Sequence, residues 1–220
     1  MTIKAGVGMS RHHNPNVAGR EAAEQALKKA GIAKPDFVFM FASIGYDQPS
    51  VLRAARETTG GAPLTGCSAE GTINGDEADE SNFSVVVTAI SSKELHWTNG
   101  LAAGLEADPH AVGQQVAKNL QTSLSPETIG VFVFPDGRID NLDIFFAGLE
   151  GNLQSNQFLP LWGGGANNNF GWGEPTYQYY DDEIISDGVS YVLLSGRAQA
   201  SWTMSHSVIP IGGERIVTRC

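Results

Sequence analysis

The chain is short of cysteine, of positive charge and of long apolar runs, and each shortage excludes something. Two cysteines in 220 residues, Cys67 and Cys220, cannot build the disulfide framework of a small secreted domain and suit a reducing compartment. Fourteen Lys and Arg stand against twenty-four Asp and Glu, a net charge of −10. With a pI near 4.8, such a surface repels phosphate backbones and has no polybasic membrane footprint, so neither nucleic-acid binding nor membrane insertion is expected. No apolar run reaches the roughly eighteen residues of a membrane span. Met1-Thr2-Ile3-Lys4 leads into Ala5-Gly6-Val7-Gly8 without an export leader, and the expectation is a cytoplasmic protein. Charged residues make up 17% and hydrophobic residues 41%, which excludes a disordered tail or a coiled coil and leaves a folded domain.

What is present is a pattern that occurs twice. Asn14-Pro15 and Asp108-Pro109 each put a capping side chain before a residue whose missing N–H costs nothing at a helix start. Behind them Ala22, Ala23, Ala26, Leu27 and Ala30 form one apolar stripe, and Val112, Val116, Ala117, Leu120 and Leu124 the other. Phe37–Phe41 and Val131–Phe134 are unbroken apolar runs, as expected of strands covered on both faces. A second helical stripe runs through Leu142, Phe145, Phe146, Leu149 and Leu153. Pro63-Leu64-Thr65-Gly66 and Pro160-Leu161-Trp162-Gly163 follow, then acidic turns (76–80 and 181–187) before the β-branched runs 83–90 and 189–194.

The order predicts an α/β fold made by tandem duplication of two β-α-β-α-β units, residues 1–93 and 94–209, in sheets flanked by helices. Added antiparallel hairpin strands are expected at Leu95–Leu101 and Gln199–Val208. In α/β sheets ligands sit beyond the carboxyl ends of strands, which selects the loops 10–14, 43–48, 66–71, 135–140 and 163–169.

Those loops hold no complete catalytic constellation, and the chain is expected not to be an enzyme. Gly66-Cys67-Ser68-Ala69-Glu70-Gly71 has Glu70 where an esterase elbow needs its second glycine. Cys67 reads as a buried thiol, with nucleophilic catalysis the competing view. Gly163-Gly164-Gly165-Ala166-Asn167 lacks the Lys-Ser or Lys-Thr of a nucleotide loop, yet it offers close backbone approach and uncharged amides suited to a small polar ligand. The adjacent His12-His13 has no metal-ligand spacing, and the acidic turns read as solvated hairpin connections. Arg138 follows Asp136-Gly137 at a strand end, where a guanidinium matches a carboxylate in charge and shape, unless it pairs with Asp140. The candidate ligand-binding residues are Arg11, Ser43, Gly66, Cys67, Ser68, Glu70, Asp136, Gly137, Arg138, Gly163, Gly164, Gly165 and Asn167. No metal ligands are expected. A ligand carboxylate would meet Arg138 and glycine N–H groups, and a ligand amine Asp136 or Glu70.

Gly66–Gly71, Phe134-Pro135-Asp136-Gly137, Gly163-Gly164-Gly165-Ala166, Ser205-His206 and Pro210-Ile211-Gly212, in this order, resemble the N-terminal region of the FIST sensory domain family. That resemblance implies an input domain, found in bacteria, archaea and eukaryotes, that binds a small ligand such as an amino acid and passes the signal to a downstream signalling protein or domain. It also implies an alternative, a haem-binding gas sensor using His206, although Ser207 and Val208 depart from the pattern there. No cofactor is expected otherwise. Family members usually continue into a C-terminal FIST region, whereas this chain stops at Val217-Thr218-Arg219-Cys220, about where that region would begin, so it is expected to be either a fragment or a stand-alone short form without that region.

Overall fold

The structure is a computed structural model that describes residues 3–75, 77–154, 158–168, 174–203, 211–213, 216 and 218. Chain order is β1 (Ile3–Ser10), α1 (Pro15–Ala30), β2 (Phe37–Ser43), α2 (Gln48–Thr58), β3 (Leu64–Ala69), β4 (Thr72–Asn74), β5 (Glu77–Asp79) and β6 (Val85–Ser92). There follow β7 (Leu95–Ala103), α3 (Pro109–Gln121), β8 (Thr128–Pro135), α4 (Leu142–Asn152), β9 (Leu161–Gly163), β10 (Gln178–Tyr180), β11 (Glu183–Ile185) and β12 (Gly188–Gly196). The Asx-Pro caps form: the Asn14 side chain accepts from the N–H groups of Asn16 and Val17, and that of Asp108 accepts from Ala111.

The duplication is visible in the sheets. The first runs β1-β6-β2-β3-β10-β11, its last two strands coming from the second unit, and the second runs β7-β12-β8-β9. In each, the third and fourth strands are parallel, and the last strand of the unit is inserted antiparallel between its first two. Two helices cover one face of each sheet, and the other faces meet. Alternation along the central strands produces this layering. Val38, Met40 and Ala42 point into the helix-covered core of the first unit, and Val131 and Val133 into that of the second. Phe39 and Phe41 instead meet Phe132 and Phe134 edge-on between the sheets, with Cys67 and Ala166 beside them. The unbroken apolar runs are thus covered on both faces, by helices on one and by the second sheet on the other.

Two expected hairpin strands are corrected. Leu95–Leu101 does not extend the first unit. It lies in β7, the first strand of the second sheet, paired with β12 along nine residues. The reason is that β6 already has β1 on one side and β2 on the other, so it has no edge to offer. Residues 199–203 form no strand, and 204–208 lie outside the described residues. The hairpins sit elsewhere, as β4–β5 and β10–β11, each between the third and last strands of its unit. No helix among the described residues is long and apolar enough to cross a membrane.

Candidate functional site

Strand pairing places the two halves in register with each other. Gly66 pairs with Met40, and Gly163 with Val133. At both glycines a β-carbon would sit within 2 Å of the partner's carbonyl oxygen, Met40 O at 1.8 Å and Val133 O at 1.9 Å. Counting outward, Ser43 beside Ala69 corresponds to Asp136 beside Ala166. The equivalent positions are chemically opposite. The Ser43 hydroxyl donates to Ser84 O at 3.0 Å and is fully buried, so that strand end is closed into its own sheet.

Asp136 is also fully buried, but it is the hub of a charged cluster. Arg138 grips it with Nε at 3.2 Å from Oδ1 and Nη2 at 2.8 Å from Oδ2, and its backbone N–H donates to Oδ1 at 2.9 Å. Asp187 N–H and the Thr176 hydroxyl also donate to this carboxylate. Burial opposes ionisation of Asp136, but the hydrogen bonds from Arg138 and Thr176 and the guanidinium charge outweigh it and hold the carboxyl below its ordinary value. The bonds to Asp136 raise the pKa of Arg138 further, with Glu106 and Asp187 adding to it. Arg138 therefore pairs with Asp136 rather than Asp140, and its side chain is 36% exposed.

The neighbouring loops interlock around this cluster. Gly137 N–H donates to Ala166 O. A β-carbon on Gly137 would lie 2.4 Å from that oxygen, and one on Gly165 would lie 2.8 Å from the Gly137 Cα, so the crossing requires both glycines. Asn167 N–H donates to Ser68 O, the Ser68 hydroxyl donates to Asn167 O at 2.8 Å, and Asn167 Nδ2 reaches Glu70 Oε2 at 3.0 Å. The strand ends thus unite Ser68, Glu70, Asp136, Gly137, Arg138, Gly165 and Asn167.

Other candidates have structural surroundings. Gly66 lies buried between β2 and β10. Cys67 packs with Phe134 and Ala166, and burial pushes its thiol pKa up to about 12. Gly163 and Gly164, with Gly165 at its border, line a cavity under α4 that adjoins the cluster. Arg11 is bonded to Asp79 and Glu77 of the β4–β5 hairpin. The acidic turns are accordingly anchored rather than merely solvated, for Asp182 in the other hairpin takes two 3.0 Å bonds from Arg56. Residues missed from sequence are Thr176, which reaches Asp136, and Asp187 and Glu106, which reach Arg138; nothing local marks them, since they meet the pair only through the fold. His206, with Ser207 and Val208, lies outside the described residues. Among the described residues no three His, Cys, Asp or Glu side chains cluster as a metal site.

Two stacked sheets under helical outer layers, with a glycine-crossed, charged cluster at the strand ends, define a duplicated α/β domain with one polar end. The FIST N domain profile matches residues 36–220; the chain belongs to this family, a family of sensory domains. Comparison with curated proteins gives no significant match. Among solved structures, a cyanuric acid hydrolase from A. caulinodans is 13% identical, with 90% of this chain and 72% of that one covered, at a TM-score of 0.42. A second cyanuric acid hydrolase structure is 12% identical, with 88% and 69% covered and a TM-score of 0.43. A chorismatase is 13% identical, with 91% and 56% covered and a TM-score of 0.37.

Proposed function

We propose that the chain is the ligand-binding part of a sensor, and that it takes a small polar ligand, an amino acid or similar carboxylate, at the Arg138 end of the sheets. The observation that supports this is the Asp136–Arg138 pair. A fully buried carboxylate fixes the guanidinium fork by two bonds while the side chain stays partly exposed. Positioning of that kind lowers the ordering cost of gripping a carboxylate. Asp136 is enclosed and surrounded by donors, so its role is to position Arg138, and the ligand amine falls to Glu70. Asn167 and the exposed Gly165 complete the polar rim. A downstream signalling protein reads the bound state, the protein works in the cytoplasm, and it needs no cofactor.

The test is a thermal-shift screen of amino acids and small carboxylates. A ligand at a hundred times its dissociation constant adds about 2.7 kcal/mol of stability. The positive ligand should lose roughly ten- to a hundredfold in affinity in Arg138→Gln, with folding checked separately because the change also removes a partner of Asp136. A screen with no positive ligand, or undiminished affinity in Arg138→Gln, counts against the site. The competing enzyme reading needs an activated Cys67. In the proposed reading the native thiol stays unlabelled by a neutral-pH thiol reagent until the protein unfolds; fast labelling of native Cys67 favours the enzyme.

A further inference from the structure

The two units carry equivalent sockets, and among the described residues only one is filled. In the first, the outer edge of β3 is covered by β10, a strand of the second unit, with Tyr179 opposite Gly66. The Tyr179 ring is fully buried beside α2, and its hydroxyl donates to Gln48 Oε1 at the first position of that helix. The matching edge is β9. Among the described residues it pairs only with β8, and its outer side has no strand. Where Tyr179 would sit, next to Gly163, there is instead a cavity of about 290 Å³ lined by Val133, Leu142, Phe146, Leu161, Gly163 and Gly164. Trp202 packs against Phe158 and Trp162, and the Trp162 ring lies on Phe132.

The chain also has an unused plug. Hairpin β4–β5 stands at the same point of its unit as β10–β11, with three-residue strands and a turn whose first residue has positive φ, Gly75 at 64° and Asp181 at 49°. In this alignment Ile73 corresponds to Tyr179, each the middle residue of its strand. Yet among the described residues β4–β5 pairs only with itself, and Ile73 is 73% exposed. The hairpin is held in place by the bonds of Arg11 to Asp79 and Glu77 and by the contact of Thr72 with Ser84. The chemistry of socket and plug agrees. Leu142 opens α4 where Gln48 opens α2, so the empty socket offers no partner for a tyrosine hydroxyl and suits an aliphatic side chain.

We propose that a second copy of this chain fills the socket: hairpin β4–β5 of one copy adds to the β9 edge of the other, with Ile73 in the cavity under α4. Each copy has one plug and one socket, so two reciprocal junctions close a dimer. Edge strands left open invite pairing of this kind.

The experiment is light scattering over a concentration series of the full chain. The expected mass doubles with concentration. Ile73→Asp disables the plug at an exposed position. Gly164→Trp fills the socket where a side chain meets open space. Each variant alone should stay monomeric with an unchanged circular dichroism spectrum. Mixed together they should associate again, because the intact Ile73 of one meets the intact socket of the other. A wild-type chain that is monomeric at the highest attainable concentration overturns the proposal. So does a dimer that survives both substitutions, or a mixture that remains monomeric.

Discussion

The two halves of the molecule have the same elements in the same order and close their open ends differently. In the first, Ser43 is tied into its own sheet and Tyr179 seals the edge. In the second, Asp136 holds Arg138 at the strand end, and the edge is open among the described residues. Connection length explains much of the difference. The third strand of the first unit reaches its hairpin through Glu70 and Gly71 alone, whereas residues 164–177 separate β9 from β10. Two residues span roughly 7 Å at most, so the first hairpin stays near its own unit, and the longer connection lets the second cross over. A duplication thus yields two equal frames, and a loop and a few side chains decide which becomes scaffold and which becomes site.

The largest expected effect is on the sealed edge. Tyr179→Ala should cost about 3–5 kcal/mol in chemical denaturation, because it empties a fully buried aromatic position. Ile73→Ala, at the equivalent exposed position, should change monomer stability by less than about 0.5 kcal/mol. Equal costs would break the equivalence of filled and empty sockets.

Next in size is the contrast between Asp136 and Ser43. Asp136→Asn weakens the grip on Arg138 in a buried setting and should cost about 2–3 kcal/mol, reduced from a fully buried pair because Arg138 is partly exposed. Ser43→Ala removes one neutral hydrogen bond and should cost about 1 kcal/mol. The pH dependence sharpens this. The carboxyl of Asp136 is held below its ordinary value in the folded state. Its contribution is therefore fully present above the unfolded carboxylate pKa, about 4, and is lost as pH falls through the folded pKa. Stability measured across this acid range should fall less steeply in Asp136→Asn than in the parent, while Ser43→Ala keeps the parent's slope.

Much of the frame was legible in the sequence because its signals are local. The Asn14-Pro15 and Asp108-Pro109 caps, the phenylalanine-rich central strands and the repeated glycine after Pro63 and Pro160 all sit where the pattern put them. What was not legible depends on partners far along the chain. Nothing within Leu95–Leu101 says that β6 is already paired on both sides, and nothing near Gln178 points to β3. At the site, the crossing of Gly137 with Gly165 and the meeting of Ser68 with Asn167 agree with the strand-end rule. That Asp136, two residues away, would take both prongs of Arg138 needed the buried geometry, as did the correspondence of Asp136 with Ser43.

The most direct measurement is an amide chemical-shift map of the protein titrated with the best ligand from the thermal screen. With the ligand at the Arg138 end, the perturbed amides should gather at Ser68–Glu70, Asp136–Arg138 and Gly165–Asn167, with the sealed Ser43–Tyr46 end unchanged. Perturbations centred on Ser43–Tyr46, or spread elsewhere with the Arg138 loop silent, would contradict that placement.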